Sequence, residues 1–328
     1  MSARHRARIF ALILTLLLTA ATSGCGTDSA APERIVIAGG VDGGVYASYA
    51  AALSQALTAA LGHRVQVSVL STAGSVDNLQ RLAGGEATFA ICAADAVADA
   101  AFDDAAFDDT ASPAPAAADY RAVARLYDDY LHLVVKADSP IHDLADLRGR
   151  RVAVGGPTSG TAFVARRILA AAGQSGLSTD SELGLSEALG ALEHGQVDAF
   201  FWSGGLPTER LADAARAERL RLIPLGDSVP ALRTQYGTVY HQGRIPAETY
   251  AGVDGVDTVA FPDLLMTTSQ TSDRVVRETV AALFAHPEVI GRVPTGQLLN
   301  RAEAIFTEPV PLHRAALEYF REEKVATR

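Results

Sequence analysis

The chain has 328 residues, which is enough for two domains of ordinary size. Hydrophobic residues make up 48% of it and charged residues 20%, a composition that excludes a disordered chain. The net charge of −10 argues against nucleic acid and against an anionic membrane surface as partners.

The first 24 residues are predicted to be a signal peptide. A basic segment, Arg4 to Arg8, precedes an apolar stretch, Ile9 to Ala21, that is too short to span a bilayer comfortably. Ser23-Gly24-Cys25 then resembles a bacterial lipobox, in which the cysteine is lipidated and becomes the first residue. Because Thr22 stands where leucine is usual, cleavage by an ordinary signal peptidase is the alternative. We expect lipidation at Cys25, a tether at 25–33, and no transmembrane helix by either route.

A strand followed by a glycine-rich turn opens the mature chain. The β-branched run 34–38 predicts a buried strand, and apolar residues at helical spacing from Tyr46 to Leu61 predict a helix. Between them, the glycines of 39–44 leave backbone N–H groups uncovered at the positive end of that helix. Such a turn can hold an anionic group without a basic side chain, although an ordinary tight turn is the alternative.

The next segment repeats this order. Alternating valines at 65–69 predict a second strand, which runs into the polar stretch 71–75. Ser75 is predicted to cap a helix that Gly84 and Gly85 end. A third strand, 88–92, contains Cys92, which we interpret as a small buried hydrophobic residue; a disulfide with Cys25 is the alternative.

The rest of the chain alternates between strands and helices, which predicts an α/β architecture. Strands are predicted at 126–135, 151–154, 197–202, 221–225, 258–261 and 264–267. Helices are predicted near Asp95, after the turn that ends at Thr161, from Ser186 to Gly195, after Pro207, at 273–286 and at 311–323. We expect a surface loop at 103–119, and we assign no element to 226–257, where the pattern is loose.

A further glycine-rich turn, Gly155 to Thr161, has the glycine spacing of a phosphate loop. Thr161 replaces the lysine that nucleotide hydrolysis needs. The sequence also lacks the dinucleotide-binding and zinc-protease motifs, and Gly226-Asp227-Ser228 lacks the glycine that follows a hydrolase nucleophile. We therefore predict a binding protein without cofactor or metal, not an enzyme.

The two glycine-rich turns are expected to face each other across a cleft. This arrangement arises if the chain first folds part of one lobe (34–132) and then forms a second lobe (133–257). The remaining residues (258–328) return and complete the first lobe. Ligands of open α/β sheets lie at such strand ends. Backbone N–H groups and hydroxyls from both sides would then hold one small polar ligand, and the lobes would close around it.

The whole mature chain resembles the TAXI-type solute receptors of tripartite ATP-independent periplasmic (TRAP) transporters. The matching segments are 37–46, 72–79, 84–87, 146–152, 156–161, 195–205 and 245–250. The resemblance implies a type II periplasmic-binding-protein fold and a TRAP membrane permease as partner. It also implies an extracytoplasmic receptor, and as ligand glutamate, glutamine or a C4–C5 dicarboxylate.

The resemblance also implies which residues face the ligand. They are Gly40, Gly44, Tyr46, Thr72, Ala73, Gly74, Ser75, Ser159, Gly160, Thr161 and Trp202. Tyr46 and Trp202 are core aromatics in the alternative interpretation. Asp95 either caps its helix or pairs with a ligand ammonium; Ala93-Ala94 stand before it where the family often has glutamine and a small residue.

Within this set we place the ligand's carboxylate at Ser159-Gly160-Thr161, where glycine, hydroxyls and a helix N-terminus coincide. The protein is expected to be a monomer held at the outer face of a membrane by its lipid alone. A lipoprotein that presents a ligand to a membrane sensor kinase is the alternative, because the same cleft would serve it.

Overall fold

The computed structural model describes residues 32–102, 119–174 and 180–324, which contain ten strands. They are Glu33–Ala38 (β1), Val65–Leu70 (β2), Phe89–Ala93 (β3), Tyr120–Lys136 (β4), Val152–Ala153 (β5), Asp180–Ser181 (β6), Ala199–Gly204 (β7), Leu220–Leu222 (β8), His241–Ile245 (β9) and Val256–Thr268 (β10). Each strand predicted from the sequence overlaps one of these.

The same ranges contain eleven α-helices and four short 3-10 turns. The helices are Val45–Leu61 (α1), Ser75–Ala83 (α2), Ala94–Phe102 (α3), Gly160–Ala171 (α4), Leu185–Glu193 (α5), Glu209–Ala217 (α6), Val229–Tyr236 (α7), Asp273–Ala285 (α8), Pro287–Ile290 (α9), Arg301–Ala304 (α10) and Arg314–Glu322 (α11). The 3-10 turns are Gly62–Arg64, Ala145–Leu147, Gly226–Ser228 and Pro294–Leu298.

The strands form one sheet in the order β2-β1-β3-β10-β4-β7-β5-β6, with β8 paired to β4 and β9 paired to β10. The two longest strands, β4 and β10, are antiparallel and lie at its centre. β10 also pairs with β3 on one side, whereas the last residues of β4 pair with β7 and β8 on the other. These two strands therefore carry the chain between the halves of the sheet.

Apolar residues of the helices and strands meet in a core on each half of the sheet. On the first half, Leu53 and Leu57 of α1 and Val280 of α8 pack with the β1 isoleucines. On the second half, Ile168 of α4 packs with Val152 of β5 and with residues of β4 and β7. Cys92 is fully buried and unbonded, which confirms its interpretation as a core residue.

A proline interrupts the regular pairing of β10. Pro262 lies inside the strand, and the register against β4 shifts between Asp263 and Leu264. Proline has no N–H to donate to the ladder, and a bulge of this kind redirects the side chains beside it. Asp263, the residue after the proline, is consequently held in the interior with no exposed surface.

Three local predictions were wrong. Ser75 is not the cap of α2: Gly74 occupies that position, and the Ser75 hydroxyl accepts the Ala93 N–H instead. α5 begins at Leu185, one residue before Ser186, because Glu187 accepts the Gly184 N–H and thereby fixes the start.

The third error concerns 226–257, which contains α7 and β9. β9 has the sequence His241-Gln242-Gly243-Arg244-Ile245, so only backbone pairing with β10 makes it a strand.

Several predictions fall on residues that the structure does not describe. They concern the signal peptide, Cys25 with the rest of the tether up to residue 31, and residues 103–118 of the loop predicted at 103–119. In the part of the chain that the structure describes, no helix has the length and apolar composition needed to span a membrane.

Candidate ligand-binding site

A cavity of about 250 Å³ lies where several strands of the two sheet halves end. It brings together ten of the twelve ligand-facing residues predicted from the sequence. These are Gly40, Gly44, Tyr46, Ala73, Gly74, Ser75, Ser159, Gly160, Thr161 and Trp202. The sequence analysis did not single out six further lining residues, namely Asp129, Ser203, Phe201, Leu183, Leu185 and Glu187. Thr72 and Asp95 do not line the cavity.

Thr72 acts behind the cavity wall and holds two turns together. Its hydroxyl accepts the Gly40 N–H at 2.9 Å, and its own N–H donates to the Gly40 carbonyl at 3.0 Å. The hydroxyl hydrogen goes to the Asn78 side chain of α2. The turn after β1 (the first turn, residues 39–44) is thus fixed to the turn after β2 (the second turn, residues 71–74).

The second turn touches the turn that precedes α4 (the third turn, residues 155–159). A side chain placed on Gly160 would have its Cβ 2.8 Å from the Ser75 hydroxyl, and one on Gly74 would lie 3.2 Å from Ser159 Cα. The Asp77 N–H also donates to the Thr158 carbonyl at 3.3 Å. Glycine at these two positions therefore lets the two segments pack closely against each other.

Four helices begin at cavity-lining residues. The helix N-caps are Gly44 for α1, Gly74 for α2, Ser159 for α4 and Gly184 for α5. α1 and α4 have no acidic residue in their first turn, so the partial positive charge of these two N-termini is not offset by a side chain of their own. None of the lining residues is a lysine, arginine or histidine. Backbone N–H groups are therefore the positively polarised groups that an anion would meet.

The hydroxyl groups of Ser159 and Thr161, which are predicted to bind a carboxylate, are fixed by hydrogen bonds at the start of α4. Ser159 Oγ accepts the Ala162 N–H at 3.0 Å, and Thr161 Oγ1 accepts the Ser203 N–H at 3.1 Å. Both hydroxyls act as acceptors in these bonds, so each keeps its hydrogen for another partner. Ser159 and Thr161 can therefore donate toward the cavity while their oxygens are held in place.

A buried pair of carboxyl groups forms part of the cavity floor. Asp129 of β4 lines the cavity and is 2% exposed, while Asp263 of β10 is fully buried behind it. Tyr46 donates to Asp263 Oδ1 at 2.5 Å, and Ser203 donates to Asp129 Oδ2 at 2.9 Å. Because the Tyr46 hydrogen is used on Asp263, the Ser75 hydroxyl, 3.2 Å away, donates to Tyr46. Hydroxyl groups from both sheet halves thus point toward the pair.

Burial disfavours ionisation of both carboxyl groups at once. Burial raises the pKa of Asp129 to about 6, and burial together with the neighbouring Asp129 charge raises the pKa of Asp263 well above its ordinary range. Two like charges in one buried site cannot both ionise readily. The pair therefore favours a single negative charge, and Asp129 is the member that faces the cavity.

Trp202 lines the cavity, and its indole N–H is hydrogen-bonded to another residue of the protein. The indole N–H donates to Thr208 Oγ1 at 2.9 Å, and the Trp202 carbonyl contacts His132 Nδ1 at 3.2 Å. The other His132 nitrogen bonds the Tyr250 hydroxyl at 2.9 Å. Burial lowers the pKa of His132 to about 4, so this histidine is neutral and structural.

Asp95 serves its own helix and a neighbouring tyrosine instead of the cavity. Its Oδ1 accepts the Ala96 N–H at 2.7 Å in the first turn of α3, and its Oδ2 accepts the Tyr240 hydroxyl at 2.9 Å. The side chain is fully buried, and burial raises its pKa to about 6. Of the two alternatives, helix capping fits these contacts, and pairing with an ammonium in the cavity does not.

The sequence did contain a signal for the missed acids. Asp128 and Asp129 are the only acids in the strand predicted at 126–135, whose other residues except His132 are apolar or aromatic, and Asp263 follows a proline in another strand. An aspartate inside a buried strand is energetically costly unless it is paired or is kept for a function.

Among the described residues, no group of three or more histidines, cysteines or acids could hold a metal ion.

Comparison with solved structures shows the fold. The periplasmic binding protein BugD is 15% identical, covers 90% of this chain and 99% of its own, and has a TM-score of 0.51. XAC2383 from Xanthomonas citri, solved bound to ATP, is 13% identical, with coverage of 88% and 95% and a TM-score of 0.50. The mixed α/β fold is that of type II periplasmic binding proteins, as predicted.

The family comparison covers nearly the whole described chain. Residues 37–323 match the NMT1-like family, a range that includes every cavity-lining residue. The chain therefore belongs to the NMT1-like family, a family of periplasmic solute-binding proteins.

Proposed function

We propose that the protein is an extracytoplasmic receptor that captures one small carboxylate in the cavity and delivers it to a membrane transporter. The observation that carries this proposal is the set of helix N-termini around a cavity that no basic side chain lines. Uncompensated helix N-termini attract carboxylates through backbone N–H groups. Membership of a solute-binding family supports capture of a ligand over its conversion.

The proposed carboxylate position is Ser159-Gly160-Thr161, at the start of α4. The free hydroxyl hydrogens of Ser159 and Thr161 add to the N–H groups of that helix end. A cavity of about 250 Å³ suits a solute smaller than an ordinary drug-sized ligand. Glutamate, glutamine and the C4–C5 dicarboxylates are solutes of this size.

The transporter proposed as partner is a TRAP permease, on the strength of the TAXI resemblance. The two lobes would be 34–132 plus 258–328 and 133–257, hinged where β4 and β10 pass between the halves of the sheet. We further propose a monomer anchored to the outer face of the membrane through Cys25. This placement rests on the lipobox-like segment before that cysteine.

A melting-temperature screen against amino acids and organic acids tests the proposal. At least one carboxylate should raise the Tm in a saturable manner, because a ligand that binds only the folded state stabilises it. Ser159→Ala should then weaken the affinity for that solute about ten-fold, since a charge-assisted hydrogen bond is worth roughly 1.5–3 kcal/mol.

Ser159→Ala also removes a helix cap, so a matched control is needed. Ser272 caps α8 in the same way, accepting the Val275 N–H, and it does not line the cavity. Ser272→Ala should lower stability by a similar amount, about 1 kcal/mol, with affinity unchanged. Equal affinities in wild type and Ser159→Ala would move the carboxylate away from α4, and a screen without any carboxylate ligand would contradict the proposed function.

A further inference from the structure

The Asp129 carboxylate is a buried negative charge without a cation. It is 2% exposed and lines the cavity, yet no lysine, arginine or histidine is among the lining residues. No ion pair among the described residues involves Asp129 or Asp263. A carboxylate removed from water is costly unless it is paired or fully hydrogen-bonded. Something other than these side chains is therefore expected to compensate this charge in the working protein.

The protein supplies hydrogen bonds to only part of the carboxyl pair. Asp129 Oδ2 receives the Ser203 hydroxyl, whereas Asp129 Oδ1 and Asp263 Oδ2 receive no donor from any other described residue. A proton shared by the two acids removes one of their two charges and leaves the other. A carboxylate can accept about four hydrogen bonds, so Asp129 retains acceptor capacity on the side of the cavity.

The charge lies close to the end of the cavity that favours anions. Ser203 joins the two places, because its N–H donates to Thr161 Oγ1 at 3.1 Å and its hydroxyl donates to Asp129 at 2.9 Å. A site for a carboxylate and a site for a cation are thus connected through one residue. An α-amino acid carries these two groups on a single carbon, whereas a dicarboxylate would place an anion against Asp129.

We propose that Asp129 binds the ammonium group of the solute and that the receptor selects α-amino acids over acids that lack the amino group. This inference rests on the proposed function and on the carboxylate position at α4. The Ser75 and Tyr46 hydroxyls form a chain that ends on Asp263, so they position the second acid of the pair and do not themselves supply a charge.

Calorimetric titrations with matched pairs of solutes test the inference at pH 7.5. Each pair consists of an amino acid and the acid that lacks only its amino group: L-glutamate and glutarate, L-glutamine and 4-carbamoylbutanoate, L-leucine and 4-methylpentanoate. In the wild-type protein, the amino acid of at least one pair should bind ten-fold or more tightly than its partner. This comparison needs no variant, so it does not depend on a variant that folds.

Two variants then locate the charge. Asp129→Asn removes it and should reduce the preference to less than about three-fold. Asp128→Asn is the matched control, because Asp128 adjoins Asp129 in β4 but contacts Arg125 and His241 and does not line the cavity. The Asp128→Asn protein should therefore keep the preference of the wild type.

The outcomes separate this inference from the proposed function. Equal or tighter binding of the deaminated acids would overturn the ammonium site and leave a carboxylate receptor standing. A preference that survives in Asp129→Asn would place the ammonium elsewhere. If none of the six solutes binds, the amino-acid inference falls; if the melting-temperature screen also finds no carboxylate, the proposed function falls with it.

Discussion

Asp129→Asn is expected to stabilise the protein more at pH 8 than at pH 4, by on the order of 1.4 kcal/mol for each unit by which folding raises the pKa of the carboxyl pair. The pKa of Asp129 is raised by burial to about 6, from an ordinary value of 3.8. The folded protein thus holds this proton more tightly than the unfolded chain does. The resulting stabilisation is complete below pH 4 and is lost as the pH rises through 6. An asparagine, which has no proton to lose, avoids that loss.

Denaturant unfolding of both proteins at pH 4 and pH 8 measures this difference. Asp128 provides the control, because it adjoins Asp129 but contacts Arg125 and His241. Burial opposes the ionised form of Asp128, yet these hydrogen bonds and charges outweigh it and lower its pKa. Its contribution to stability is present above its ordinary pKa and is lost as the pH falls. Asp128→Asn should therefore destabilise more at pH 8 than at pH 4. The same pH response in both variants would contradict the account of Asp129.

A stabilising change at a cavity-lining residue would also bear on function. Residues retained for binding often lower the free energy of unfolding, because their polar groups have no partner until the ligand binds. If Asp129→Asn gains stability and loses selectivity for amino acids, the carboxylate is retained for its ligand and not for the fold.

Gly160→Val is expected to weaken solute binding about 10- to 100-fold, since overpacking of this kind typically costs roughly 1–3 kcal/mol. The new Cβ would lie 2.8 Å from the Ser75 hydroxyl, which also bonds Ala93 and Tyr46, so the starts of α2 and α4 would have to move apart. The loss should therefore appear in closure of the cavity and not only in contact with the ligand.

Small-angle scattering and calorimetry together distinguish these causes. With a saturating solute, the wild-type protein should have a smaller radius of gyration than Gly160→Val. Gly190→Val is the control, because Gly190 lies in α5 and a Cβ added to it would meet no atom within 4 Å. Wild-type affinity in Gly160→Val would show that the contact between the two turns is dispensable.

The sequence predicted the fold well because its signals are local. The runs 34–38 and 65–69 became β1 and β2 within one residue at each end, and Gly84 ended α2 as expected. The family resemblance supplied the predicted site residues, and seven of the ten that line the cavity are glycines, serines or threonines shortly after a strand. Each of these signals depends on neighbours in the chain.

The carboxyl pair could not be predicted in the same way. Asp129 and Asp263 meet only because β4 and β10 pair at the centre of the sheet, and Tyr46, which bonds Asp263, is 217 residues away from it. The sequence likewise left two roles open for Asp95, because its partner Tyr240 lies 145 residues later, in a segment for which no element was predicted. Contacts of this range are determined by topology and not by local pattern.

The most direct test of the account is a fluorescence titration of Trp202, the only tryptophan of the chain, which lines the cavity. The carboxylate found in the melting-temperature screen should change its emission in a saturable manner, with one solute bound per chain. The affinity should match calorimetry and should fall about ten-fold in Ser159→Ala, the loss expected from one charge-assisted hydrogen bond. Calorimetric binding that leaves the Trp202 emission unchanged would place the solute outside this cavity and contradict the account.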